Sequence, residues 1–306
     1  MTRIFDTHCD VLMKLWWNPR LSFNNSNALH INYKQLKETG AKVQLFAIYI
    51  PEAVKACDRF DVALEMVELF HSHILSNPHM KMVKTKRDID GLKANEIGAM
   101  LTIEGCDMIG DQMARLKTLF RLGVRSVGLT WNYSNAVADG ILEERGAGLS
   151  RFGKQVVQAN NEAKVWTDVS HLSIKGFWDV IEHARYPIAS HSNVYDLCPN
   201  PRNLNRDQIE ALLQRDSVIG ITFVPEFLSK NQPSITDVIR HVEYICMLGG
   251  ERNIGFGSDF DGIDQTTSGL SSYKGYEALI NELLKYYSKE VVDGFLFGNF
   301  YRALPV

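Results

Sequence analysis

The chain has 306 residues, 45% hydrophobic and 23% charged, the make-up of a globular protein that buries its own core. Its formal net charge of -3 sets up no global field toward a nucleic-acid backbone or an anionic membrane, so no nucleic-acid partner is expected. Five widely spaced cysteines without a C-x-x-C (Cys9, Cys57, Cys106, Cys198 and Cys246) argue against a disulfide framework and fit a reducing, cytoplasmic setting.

The N-terminal run MTRIFDTHCD lacks the apolar core of a secretory signal. No stretch is apolar for long enough to span a bilayer, and GNFYRALPV is no anchor signal, so no membrane anchor is expected. Short β-rich apolar runs then alternate with helical patterns. The expected strands are Ile4–His8, Val43–Tyr49, Ile97–Ile103, Ser126–Thr130, Val165–Val169, Ile188–Ser190, Val218–Val224 and Ile254–Ser258. Between most of them lie amphipathic stretches: Phe60–Leu75, Met113–Leu122, Phe152–Glu162, Ile174–His183, Asp207–Gln214 and Ile235–Leu248. Eight strands with crossover helices predict an α/β chain folded over residues 1–306 as one (β/α)₈ TIM-type barrel; an open doubly wound sheet is the alternative. Trp16–His30 and Gly262–Gly275 read as loops after the first and eighth strands. In a barrel both overhang the end where active sites sit.

Residues able to bind metal recur at the ends of these runs. His8 and Asp10 form an H-x-D whose period of two puts both side chains on one face. Cys9 between them points the other way and reads as packing. Glu104 ends the apolar run IGAMLTIE, where a carboxylate is costly to bury without a compensating cation or hydrogen bonds. His171 ends VWTDVSH, His191 ends PIASH and Asp259 ends NIGFGSD. One such histidine is more often structural than a ligand. Polar ends on strands one, three, five, six and eight together match the ligand preferences of zinc and similar ions. The charges agree: two divalent ions are balanced by Asp10, Glu104, Asp259 and one hydroxide. The remaining six histidines fall on helical or loop stretches and read as structural or solvated.

With these residues placed, the chain resembles the membrane (renal) dipeptidase family, a zinc-dependent branch of the amidohydrolase superfamily. The resemblance is carried by FDTHCD (Phe5–Asp10), LTIEG (Leu101–Gly105), the run from Leu119 to Gly140, GLSRFG (Gly148–Gly153), DVSHLS (Asp168–Ser173), the run from Ile188 to Leu204 with its CPNPRNL, and GFGSDFDG (Gly255–Gly262). It implies two zinc ions per chain. His8 and Asp10 would hold one, His171 and His191 the other, and Glu104 would bridge them. Asp259 would stand beside a bridging water and carry its proton. Arg202 would bind the substrate's terminal carboxylate, a task suited to a guanidinium fork. A surface ion pair is the commoner fate of an Arg in such a loop.

The family's dipeptidases usually carry His within L-T-H-N, close to the substrate carbonyl; this chain has Trp131 in LTWN. An indole N–H donates one hydrogen bond but cannot exchange a proton as imidazole does. The implied activity is hydrolysis of small dipeptides by metal-activated water, with a D-residue accepted at the carboxyl-terminal position. Trp131 keeps open another small amide, an N-acyl amino acid, a lactone or a phosphoester. A barrel that binds without turnover is the third reading, and a homodimer is left open.

Overall fold

The computed structural model describes residues 3–306. Nine strands form one parallel sheet: β1 (Ile4–Asp6), β2 (Ala41–Tyr49), β3 (Met80–Met82), β4 (Ile97–Glu104), β5 (Val124–Gly128), β6 (Trp166–Asp168), β7 (Pro187–Ile188), β8 (Ile219–Ile221) and β9 (Ile254–Phe256). Eight of them run in the order β7-β6-β5-β4-β2-β1-β9-β8. The two ends of that row meet through the parallel bridge Ala189↔Ile219, where Gly220 N donates to Ala189 O at 2.7 Å. The sheet is therefore an eight-stranded barrel, and each expected strand is present: Ala41–Tyr49 and Ile97–Glu104 run longer than expected, Val124–Gly128 is shifted by two residues and the other five are shorter.

The ninth strand, β3, was not expected. It pairs with Ile97–Ala99 of β4, below the point where β5 joins at Leu101. A three-residue MKM run is too short to carry a period. Among the expected helices, Met113–Leu122 and Ile174–His183 agree residue for residue. Phe60–Leu75 is instead an α-helix over Arg59–Leu69 continued by a π-helical turn over Phe70–Ile74, which holds His71 and His73. The loop expected from Trp16 begins later, because Val11–Trp17 is helical. Tyr33–Thr39 was also missed, although Asn32 caps it by accepting from Gln35 N and Gly40, at φ 88°, ends it. Gly275–Leu283 is helical as well.

Packing and polarity divide the barrel into two ends. At the N-terminal end Phe5, Trp166, Phe297 and Phe300 form an aromatic plug, with Trp166 Nε1 donating to Ala303 O at 3.0 Å. The C-terminal segment thus closes the bottom of the barrel. Toward the other end the interior turns polar. Buried Asp6 accepts from His8 N (3.1 Å), Ser258 N (3.0 Å) and Tyr276 Oη (3.1 Å). One carboxylate thereby ties β1 to β9, the strands that lead to His8 and Asp259. The loops after β1 and β9 do meet over this end: His30 N donates to Asp261 Oδ1 at 2.9 Å and Tyr273 N to His30 O at 2.9 Å. Among the described residues no helix is long and apolar enough to cross a membrane.

Candidate metal and active site

β1 stops at Asp6, so His8 and Asp10 lie beyond the regular strand. Alternation nonetheless continues, because Ala47 N donates to Cys9 O and Asp10 N to Phe260 O, both at 2.9 Å. His8 Nε2 and Asp10 Oδ2 come within 3.3 Å of each other. Cys9 faces the opposite way, its thiol on Leu45 O at 3.2 Å, and burial pushes that thiol's pKa well up. It is packing, as expected.

Glu104 lies at the centre. Its Oε2 is 3.4 Å from His8 Nε2 and its Oε1 is 2.9 Å from His171 Nε2 and 3.7 Å from His191 Nε2. Two oxygens thus face two groups of ligand-capable atoms. Burial disfavours its charge, but His8 and His171 hold the carboxyl well below its usual range. Asp10 is pushed well above its own by burial and by Glu104. Asp259 completes the cluster, its Oδ1 3.8 Å from His8 Nε2. Asp10 and Asp259 approach closely because residue 262 is glycine. A Cβ there would lie 2.3 Å from Asp10 Oδ2 and 2.4 Å from Asp259 Oδ1. His171 and Asp259 both adopt left-handed backbone, at φ 68° and 63°, a costly state for side chains of this kind that is characteristic of functional sites.

The histidine protons can be placed from their partners. Ser190 Oγ has one hydrogen, which goes to Asp168 Oδ2, so it accepts from His191 Nδ1 at 2.7 Å. Asn132 Oδ1 likewise accepts from His171 Nδ1 at 2.8 Å. The lone pairs of both Nε2 atoms therefore point inward, 2.8 Å from each other and toward Glu104. Burial, reinforced for His171 by Arg202 and for His191 by His8, keeps both rings neutral, with the His171 pKa lowered to about 3. Two neutral nitrogens presenting lone pairs to one point repel unless a cation lies between them. His8 Nε2 and Asp10 Oδ1 are also buried without hydrogen-bond partners. Three-residue groups able to hold an ion are His8, Glu104 and His191, and His8, Asp10 and Asp259. The donor set fits divalent metal ions, with imidazole and carboxylate and no thiolate.

Arg202 is buried at 6% exposure. Its guanidinium stacks on Phe227 at 5.3 Å and reaches only His191 O, at 3.4 Å, while its Nε lacks a partner. It makes no ion pair among the described residues, so the surface-pair alternative does not apply. The loop is pinned by Asn203 Nδ2, which donates to Cys198 O and Phe227 O at 2.8 Å each. Burial lowers the Arg202 pKa to about 10, and it stays a cation. Trp131 stands beside the cluster, its ring 6.2 Å from that of His171.

Sequence reasoning passed over Asn132, Asp168 and Ser190, the residues that orient His171 and His191, and Asp6, which joins the strands leading to His8 and Asp259. All four lie inside or beside the motifs that carry the resemblance, but their roles are contacts across strands.

A family model described as membrane dipeptidase (peptidase family M19) matches residues 1–306. "Dipeptidase aclJ" of Aspergillus oryzae is 35% identical over 215 residues, 68% of this chain and 51% of that protein. A solved metallopeptidase described as "dipeptidase AC" superposes with a TM-score of 0.93 at 26% identity, covering 99% of this chain and 98% of its own. A Rhodobacter sphaeroides metallopeptidase, solved with a phosphinate mimic of the dipeptide L-Ala-D-Ala, has the same TM-score at 25% identity and the same coverage.

Proposed function

The chain belongs to the membrane dipeptidase family and is a hydrolase of the dipeptidase kind, and from that premise we propose that it hydrolyses small dipeptides at a two-zinc centre, accepting a D-residue at the carboxyl-terminal position. The observation that carries the reading is the convergence of His8, Glu104, His171 and His191 beside a buried, unpaired Arg202. The Rhodobacter relative's L-Ala-D-Ala mimic supports the substrate class.

In this reading His8 and Asp10 would hold one ion, His171 and His191 the other, and Glu104 would serve both. When bound, such ions would supply an electrophile and lower the pKa of a water. Ser190, Asp168 and Asn132 keep Nε2 of the two histidines unprotonated for ligation. Arg202 anchors the substrate carboxylate through a charge-assisted pair, which replaces the partner it lacks. Asp259 takes a proton from the attacking water and returns it to the leaving amine. Asp259 has left-handed backbone, and its Oδ1 lies 3.8 Å from His8 Nε2. The whole chain acts as one catalytic unit.

A direct test compares dipeptides as free acids and carboxyl-terminal amides. The acids are expected to be hydrolysed about 10²-fold or more faster in kcat/KM, the cost of leaving a buried cation unpaired. Arg202→Met should erase that preference while metal content persists. Equal rates on acids and amides would sink the carboxylate clamp.

Trp131 stands where relatives usually carry His, and it is expected to shape the pocket rather than react. Trp131→His should then change dipeptide kcat by less than about tenfold, well under a general acid–base effect. A rise of several orders of magnitude without added metal would show that the natural substrate is another amide or ester.

A further inference from the structure

Around the barrel mouth, β2 and β4 lie opposite β7 and β8, and β5 is the next strand beside β4. Arg202 follows β7, so a substrate anchored on it crosses the centre toward β2 and β4. On that side a cleft of about 120 Å³ opens directly beside Glu104. Its size suits one side chain. Three aromatic rings stand among its lining residues, Trp131 lying 5.5 Å from Tyr49 and 6.3 Å from Tyr133, centre to centre.

The charges along the cleft do not cancel. Arg59 Nη1 is 3.2 Å from Asp107 Oδ1 and its Nε donates to Val54 O at 3.2 Å, while Asn135 Nδ2 donates to Asp107 Oδ2 at 3.3 Å. That cation and that carboxylate satisfy each other. Glu52, which also lines the cleft, makes no hydrogen bond or ion pair among the described residues. Apart from Glu104, which the dipeptidase reading gives to the metal ions, one carboxylate on the cleft wall, the exposed Glu52, is thus left without a protein partner. Aromatic faces attract cations through the ring quadrupole, and an apolar stem packs against them.

We propose that this cleft receives the side chain of the substrate's amino-terminal residue and selects a cationic one, with Tyr49, Trp131 and Tyr133 against the stem and Glu52 at the charged head. The inference rests on the dipeptidase reading and names its substrate class. A Glu52 that is merely solvated would give no such selection.

The test uses the full, zinc-loaded chain and three dipeptides that differ only in the first residue: lysyl, norleucyl and glutamyl. Norleucine keeps the stem of lysine and removes the charge. The lysyl substrate is expected to exceed the norleucyl in kcat/KM by about 5–30-fold, the size of a cation–π contact plus a partly exposed ion pair. The glutamyl substrate should be poorest. Glu52→Gln should bring the lysyl-to-norleucyl ratio down to a few-fold, and Glu52→Lys should reverse the order of lysyl and glutamyl, with metal content reporting the fold of each variant. Equal kcat/KM for lysyl and norleucyl, or ratios unmoved by both Glu52 variants, would overturn this inference alone. Hydrolysis of none of the three would overturn the dipeptidase reading, and this inference with it.

Discussion

Asp259→Asn is expected to lower kcat by about 10²–10⁴-fold, the typical contribution of a general acid–base group, in a protein that remains folded and metal-loaded. Amide and carboxylate are nearly the same size, so the close approach to Asp10 that Gly262 permits is preserved. What is lost is the ability to carry a proton, since an amide does not titrate in this range. KM should change much less than kcat, because Arg202 supplies the anchoring charge. The measurement is steady-state kinetics on a dipeptide together with metal analysis. Near-normal turnover with full metal content would remove Asp259 from the mechanism.

Chelation should abolish dipeptide hydrolysis, and zinc should restore it as occupancy approaches about two ions per chain. The metal-free centre leaves His8, Asp10, Glu104 and Asp259 crowded together, with His171 and His191 opposing each other's lone pairs. Ions that bind the folded form but not the unfolded one raise stability by mass action, so Tm should climb with free zinc as well. The variants separate the two positions. Glu104→Gln, which faces both groups, should weaken both ions, whereas His191→Ala should weaken mainly one. Full activity at one ion per chain would sink the bridging role of Glu104.

Some of this was legible without any coordinates. Eight β-like runs alternating with amphipathic stretches predicted the barrel, and every run is a strand. His8, Asp10, Glu104, His171, His191 and Asp259 were legible because a parallel barrel brings all its strand C-termini to one end. Residue type at a strand end is therefore already positional information. Cys9 could be set aside for the same reason, since period two points it away from His8 and Asp10.

What tertiary structure decided were the relations between those ends. Closure depends on Ala189 meeting Ile219 and on Asp6 holding His8 N and Ser258 N, pairings that no local pattern encodes. The inward lone pair of His191 follows from Asp168, through Ser190, and that of His171 from Asn132. A histidine tautomer is a property of its neighbours, not of its own letter. Arg202 in a Pro/Asn-rich loop reads as a surface residue; only the packing of that loop onto Phe227 buries its charge and leaves it unpaired. The chain order determined which chemistries were available, and folding decided which charges met a partner and which remained for a substrate.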